Sequence, residues 1–172
     1  MNSKGLWVAG LLSIFTAIAP ANAAGKVAGF QYVTFSDGEA PLEDNVIHMI
    51  PCMPKNNDCI ALEESISATL KQAQSEMRIA RSSLEEPVEA WSLFSQLDQK
   101  ILPRLEVKEG YKKITTKQKG LYSFYCPTNN CLVYSYGVVR DRYAYWVTIT
   151  PGRKRLDLGP AKSIAENKPR NF

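Results

Sequence analysis

The sequence holds one histidine, His48, and little else from which acid–base catalysis near neutral pH is usually built. His48 lies between Ile47 and Met49 in an apolar stretch, with no serine or cysteine at a known nucleophile spacing, so it reads as a structural residue. No His-x-x-x-His pair and no acidic calcium loop occurs, so no metal site is predicted. A glycine-rich phosphate loop is also missing, and so is the Cys-x-x-Cys of a thioredoxin-type redox centre. The acidic pairs Glu63–Glu64 and Glu85–Glu86 are sequence neighbours. Adjacent side chains on a helix point apart, which suits a solvated face and not a glycosidase pair. These gaps argue against an enzyme: no catalytic residue and no cofactor is predicted. A hydrolase, or an inhibitor of one, is the remote alternative.

Long apolar runs are confined to the start. Lys4 is followed by Leu6–Ile18, apolar except for Gly10, Ser13 and Thr16, and then by Ala21-Asn22-Ala23. A positive start, a short apolar core and small residues two apart form a secretory signal, read here as residues 1–23. The run is shorter than the roughly 20 residues needed to span the hydrocarbon core, and no later stretch reaches that length. No stable membrane insertion is therefore expected after cleavage. The mature chain is placed in the periplasm or outside the cell.

That compartment governs the four cysteines. In an oxidising environment an even number reads as disulfides, and four allow three connectivities. The local pairs Cys52–Cys59 and Cys126–Cys131 are favoured, the second across what reads as a hairpin. A four-thiolate zinc site is the rival, but the six residues between Cys52 and Cys59 exceed the usual knuckle spacing.

With 45% hydrophobic and 22% charged residues, the chain has the composition of a folded globular protein of one domain. Residues 24–100 carry a net charge of −6 and residues 101–172 a net of +9. Either the halves neutralise each other by packing, or the second half meets an anionic partner. Nucleic acid is not expected outside the cell.

Along the chain, Gly25–Phe35 alternates, with Val27, Gly29, Gln31 and Val33 on one face and Ala28, Phe30 and Tyr32 on the other. Ser36–Leu42 is a turn cluster. Asn45–Ile50 is a second strand, with Pro51 ending it. Leu62, Ile66, Leu70, Ala73, Met77, Ala80 and Leu84 recur at helical spacing and predict a helix from Asp58 to Leu84. Val88, Trp91, Phe94, Leu97 and Ile101 predict a second, from Pro87 to Leu102, closed by Pro103. Strands rich in β-branched and aromatic residues follow at 111–116, 121–126, 131–137 and 143–150. The reading is thus a β-sandwich domain over 24–150 with a helical hairpin inserted at about 58–102. Residues 151–172 read as a basic, disordered tail.

Two segments carry a family resemblance. Gly38-Glu39-Ala40-Pro41-Leu42-Glu43-Asp44-Asn45-Val46 resembles the G-x-P-L-x-x-A-x-V opening of carboxypeptidase-regulatory-like domains. Thr115-Thr116-Lys117-Gln118-Lys119-Gly120-Leu121-Tyr122-Ser123-Phe124 resembles their T-T-D-x-x-G-x-F-x-F turn. Lys117 replaces the family's aspartate and Asn45 its alanine. The resemblance implies an α+β chain built on a transthyretin-like (prealbumin, Greek-key) antiparallel sandwich, with Tyr122 and Phe124 in its core. It implies an exported accessory or adhesion module and no catalytic site. The expected function is a non-catalytic binding or scaffold module for an unknown protein or polysaccharide partner. The alternative is binding of carbohydrate or envelope polymer by sheet aromatics and basic residues. Tyr125 is out of phase with Tyr122 and Phe124. If Tyr136, Tyr143 or Tyr145 joined it, they would form a platform for sugar rings.

Overall fold

The computed structural model describes residues 24–53, 58–82, 90–139, 142–152, 154–160 and 165–166. The expected export signal at 1–23 lies outside them, as do the start of the second helix at Pro87 and the chain beyond 166. The elements are β1 (Gly25–Phe30), β2 (Tyr32–Phe35), β3 (Gly38–Pro41), β4 (Val46–Cys52), α1 (Asp58–Ser82), α2 (Ala90–Glu106), β5 (Lys112–Thr115), β6 (Leu121–Cys126), β7 (Asn130–Val139), β8 (Arg142–Pro151) and β9 (Ala165–Glu166).

A five-stranded antiparallel sheet, in the order β5-β4-β7-β8-β9, forms the middle layer. Alternation along its strands supplies two cores. Ile50, Leu132, Tyr134, Tyr145 and Val147 turn to one face and meet Leu62, Ile66 and Leu70 of α1 and Leu97, Ile101 and Leu105 of α2. Ile47, Met49, Val133 and Trp146 turn to the other, against Val27, Val33, Tyr122, Phe124 and Leu158. That second layer holds the β1–β6 pair and the β2–β3 hairpin. The architecture is an α+β sandwich whose larger sheet carries two helices on its outer side. Each buried Leu or Ile of the helical stripes contributes roughly 1.5–3 kcal/mol, which is why amphipathic spacing sufficed to place them.

Two prolines were expected to end elements and do not. α2 runs through Pro103 to Glu106, because Leu105 is buried in the last turn. The carbonyl that loses its donor belongs to Gln99, an exposed residue that water can serve. β4 continues through Pro51 to Cys52, beyond the last β5 partner at Met49, where β7 lies on one side only. The Ser36–Leu42 cluster is tighter than read: β2 and β3 pair up to Phe35 and Gly38, leaving Ser36 and Asp37 as the loop.

The two segments that carry the resemblance lock together. Thr116 Oγ1 donates to the Leu42 carbonyl at 2.6 Å and accepts from the Asn45 amide at 2.9 Å. The Lys119 amide donates to Glu43 Oε1 at 2.6 Å. Lys119 and Gly120 are left-handed at φ 61° and 68°, and a Cβ on Gly120 would overlap the Gln31 carbonyl. Asn45 is not a filler: its Nδ2 donates to Gln31 Oε1, at 2.9 Å, and to the Tyr136 carbonyl, at 2.6 Å. Gln31 in turn donates to Ser135 Oγ at 2.8 Å, so the polar residues at this end of the sandwich are mutually satisfied.

Both local disulfides are present, with Cα separations of 5.7 Å for Cys52–Cys59 and 6.0 Å for Cys126–Cys131. The second does not cross a hairpin. Cys126 ends β6 in the small sheet and Cys131 is the second residue of β7 in the large one, so the bond ties the two layers.

The expectation of a disordered tail from 151 to 172 fails for residues 154–160. The segment 154–158 runs parallel to β1, with amides and carbonyls of Ala28, Phe30 and Tyr32 paired to Lys154, Leu156 and Leu158. Leu156 and Leu158 are buried in the sandwich, and Trp146 Nε1 donates to the Gly159 carbonyl at 2.9 Å. The charge pattern Arg153-Lys154-Arg155 hid two leucines at strand spacing. Residues 161–164 and 167–172 lie outside the described residues.

Candidate functional site

The predicted aromatic platform does not form. Tyr125 lies on β6 of the small sheet and is 60% exposed. Tyr143 and Tyr145 belong to β8 of the large sheet and are buried at 3% and 1%, in the helix-side core. Tyr136 packs against that same core, its ring 5.8 Å from Tyr145. Strand alternation had the phases right; assignment of β6 and β8 to different sheets, with helices over the second, separates the four residues.

What the tyrosines surround is Asp98 of α2, which the sequence reading missed. Tyr134 Oη donates to Asp98 Oδ1 at 3.0 Å. Burial raises the Asp98 pKa, and hydrogen bonds from Tyr136 and Tyr134 oppose that rise. Burial, with Asp98 beside it, pushes the Tyr136 phenol up to about 12. The arrangement anchors α2 to the sheet through a half-buried carboxylate. A lone Asp within an apolar helical stripe was the available signal.

His48 is 5% exposed, stacks on Tyr111 with ring centres 5.9 Å apart, and shares a 2.7 Å hydrogen bond with Tyr111 Oη through Nδ1. Burial, then the nearby Lys113, lowers its pKa from 6.5 to about 4. The folded state therefore resists the proton that the unfolded chain accepts. Stability present above pH 6.5 is expected to be lost as pH falls toward 4, by about 2–3 kcal/mol from this group. Urea titrations at neutral and acid pH, on wild type and His48→Phe, measure it. An acid loss of equal size in both proteins would exclude His48 as its source.

The exposed counterpart lies on the outer face of the small sheet. β1 and β6 pair with Lys26 opposite Tyr125, Ala28 opposite Ser123 and Phe30 opposite Leu121, and alternation turns all six outward. The 154–158 segment adds Lys154 and Arg155 beside them. The Arg155 guanidinium lies over the Phe30 ring, 5.2 Å from its centre. Its Nε donates to both carboxylate oxygens of Asp157, at 3.2 and 2.9 Å. A cleft of about 450 Å³ opens between Lys26, Ala28, Phe30, Leu121, Lys154 and Arg155. A neighbouring cleft of about 390 Å³, bounded by Tyr32, Glu39, Pro41 and Lys119, shares Phe30 and Arg155 with it.

Local backbone chemistry fixes this wall. In a regular parallel ladder the Phe30 amide would bond the Leu156 carbonyl; instead it donates to Asp157 Oδ1 at 3.2 Å. The Leu156 carbonyl turns inward and accepts from Tyr122 Oη. A Cβ on Gly29 would overlap that carbonyl, so the position needs glycine. Asp157 thus does two jobs, replacing a ladder acceptor and holding Arg155 on Phe30. Of this surface the sequence reading had Tyr125, and it had Ala28, Phe30 and Tyr32 on one face. It missed Lys26, Lys154 and Arg155, the last two because they were assigned to a tail.

No family model matches the chain, and no curated protein matches it in sequence. Among solved structures the chain is similar to a candidate carbohydrate-binding protein of Pseudomonas aeruginosa, 13% identical, over 80% of this chain and 88% of that one, with a TM-score of 0.36. It is also similar to the pilus backbone of Streptococcus pneumoniae, 9% identical, over 74% of this chain and 34% of that one, with a TM-score of 0.26. Both scores are too low to carry the fold, which rests on the registers above.

Proposed function

We propose that the chain is an exported, non-catalytic binding module on a carboxypeptidase-regulatory-like, transthyretin-like sandwich, and that it binds carbohydrate or envelope polymer on the outer face of β1 and β6. The cleft walled by Phe30, Leu121 and Arg155 is the observation that carries this reading. A half-buried aromatic ring, fixed in orientation by a guanidinium, offers a sugar ring an apolar contact beside hydrogen-bond donors. Two disulfides support folding in an oxidising compartment. The interlocked segments at 42–45 and 116–120 support the family resemblance, since they make its two motifs one structural unit. His48 is engaged with Tyr111 beneath the helices, which supports a structural role for it.

Retention on immobilised polysaccharides and on glycan arrays tests the reading. Phe30→Ala and Tyr125→Ala are each expected to weaken binding by about 1 kcal/mol, roughly fivefold. Tyr136→Ala, on the other side of the molecule, is expected to leave retention unchanged. Wild-type protein that retains on no polysaccharide would sink the carbohydrate reading. Retention lost in Tyr136→Ala but kept in Phe30→Ala would move the site to the helical side.

A further inference from the structure

We infer that the polymer bound in the β1 cleft is an anionic polysaccharide, its carboxylates read by Arg155, Lys154 and Lys26 while its ring faces rest on Phe30 and Leu121. This rests on the carbohydrate reading above and names the chemical class of its ligand.

The charge of the cleft is one-sided. Lys26, Lys154 and Arg155 line it, and no carboxylate does. All three are exposed, and among the described residues Lys26 and Lys154 take part in no ion pair. Arg155 is presented, not consumed. Asp157 engages the guanidinium through Nε, and among the described residues neither terminal nitrogen has a hydrogen-bond partner. With one face on Phe30 and one edge on Asp157, the remaining edge is the planar pair of donors that a second carboxylate takes in bidentate fashion.

The shape selects a chain over a single anion. Lys26 and Phe30 stand four residues apart on one strand, roughly 13 Å. Between them the cleft is lined by Ala28 and Gly29, with Leu121 and Tyr122 of β6 beside them. An extended polymer with more than one sugar residue fits such a trough, with a cation at each end. The cations share this cleft with the apolar residues Phe30 and Leu121. A surface built to enter lipid would present them on a convex crest.

Calorimetry with an oligogalacturonate, its methyl-esterified counterpart and inorganic polyphosphate tests the assignment. The acid form is expected to bind at least about tenfold more tightly than the ester, the size of one bidentate charged pair. Arg155→Gln is expected to remove that preference while the fold stays intact, since Asp157 keeps its bond to the Phe30 amide. Arg155→Lys, which keeps charge but not the fork, is expected to restore only a small part. Lys26→Gln with Lys154→Gln is expected to flatten the salt dependence of acid binding. If acid and ester bind equally, the anionic assignment fails and the carbohydrate reading stands. If neither binds, the anionic assignment falls, and the carbohydrate reading falls with it only if wild-type protein is also retained on no other polysaccharide. Polyphosphate bound as tightly as the acid, with Arg155→Lys equal to wild type, would mark a general polyelectrolyte surface and overturn the assignment.

Discussion

Deleting residues 152–172 is expected to unfold the sandwich, although residues 151–172 read in the sequence as a basic, disordered tail. The deletion removes Leu156 and Leu158, both buried, worth roughly 1.5–3 kcal/mol each by area alone. It also strips partners from Trp146 Nε1, Tyr122 Oη and the amides of Ala28, Phe30 and Tyr32. A buried polar group left without a partner costs about 1–3 kcal/mol. The two leucines and the two buried groups Trp146 Nε1 and Tyr122 Oη alone come to roughly 5–12 kcal/mol, which rivals the whole stability of a typical domain. Deleted protein is expected to aggregate or to lose the near-ultraviolet signal of Trp146. Leu158→Ala isolates the packing part: a loss of about 2–4 kcal/mol in urea unfolding, with the fold retained. A deletion that melts at the wild-type temperature would show that the 154–158 strand contributes nothing.

The second large effect concerns the bond between the layers. Replacing Cys126 and Cys131 by alanine is expected to destabilise the chain by about 3–4 kcal/mol. About 2 kcal/mol of this comes from releasing a short loop in the unfolded chain, and the rest from vacating two sites that are fully buried between β1, β6 and β7. The Cys52–Cys59 pair joins the end of β4 to the first turn of α1, and Cys52 is only partly buried. Its double replacement is expected to cost about 2 kcal/mol, chiefly from loop release, since of the pair only Cys59 is buried. Denaturant curves of the two double mutants, compared with wild type under non-reducing conditions, give both numbers. Equal losses would mean that the position of Cys126–Cys131 between the sheets adds nothing beyond loop closure.

Local pattern carried much of this architecture. Leu62, Ile66, Leu70 and Ala73 announce the buried stripe of α1 by spacing alone, and Val27, Gly29, Gln31 and Val33 announce the inward face of β1 and β2. Cysteine separation, with the expectation of an oxidising compartment, was enough to pair both disulfides. These properties follow from periodicity and chain proximity, which are local physics.

Partnership between distant segments was decided elsewhere. Alternation told which residues of β6 and β8 share a phase, but not that β6 pairs with β1 while β8 pairs with β7. That choice sent Tyr125 to water and Tyr143 and Tyr145 under the helices. Likewise, nothing local in Arg155-Leu156-Asp157-Leu158 distinguishes a solvated tail from a strand. Only the edge of β1, free to accept a parallel neighbour, makes it one, and only then does Arg155 come to lie on Phe30. Residue types and their spacing determined what each segment could become. The free backbone edges and faces left by the rest of the fold decided which segments met, because pairing and burial energies exist only once both partners are in place.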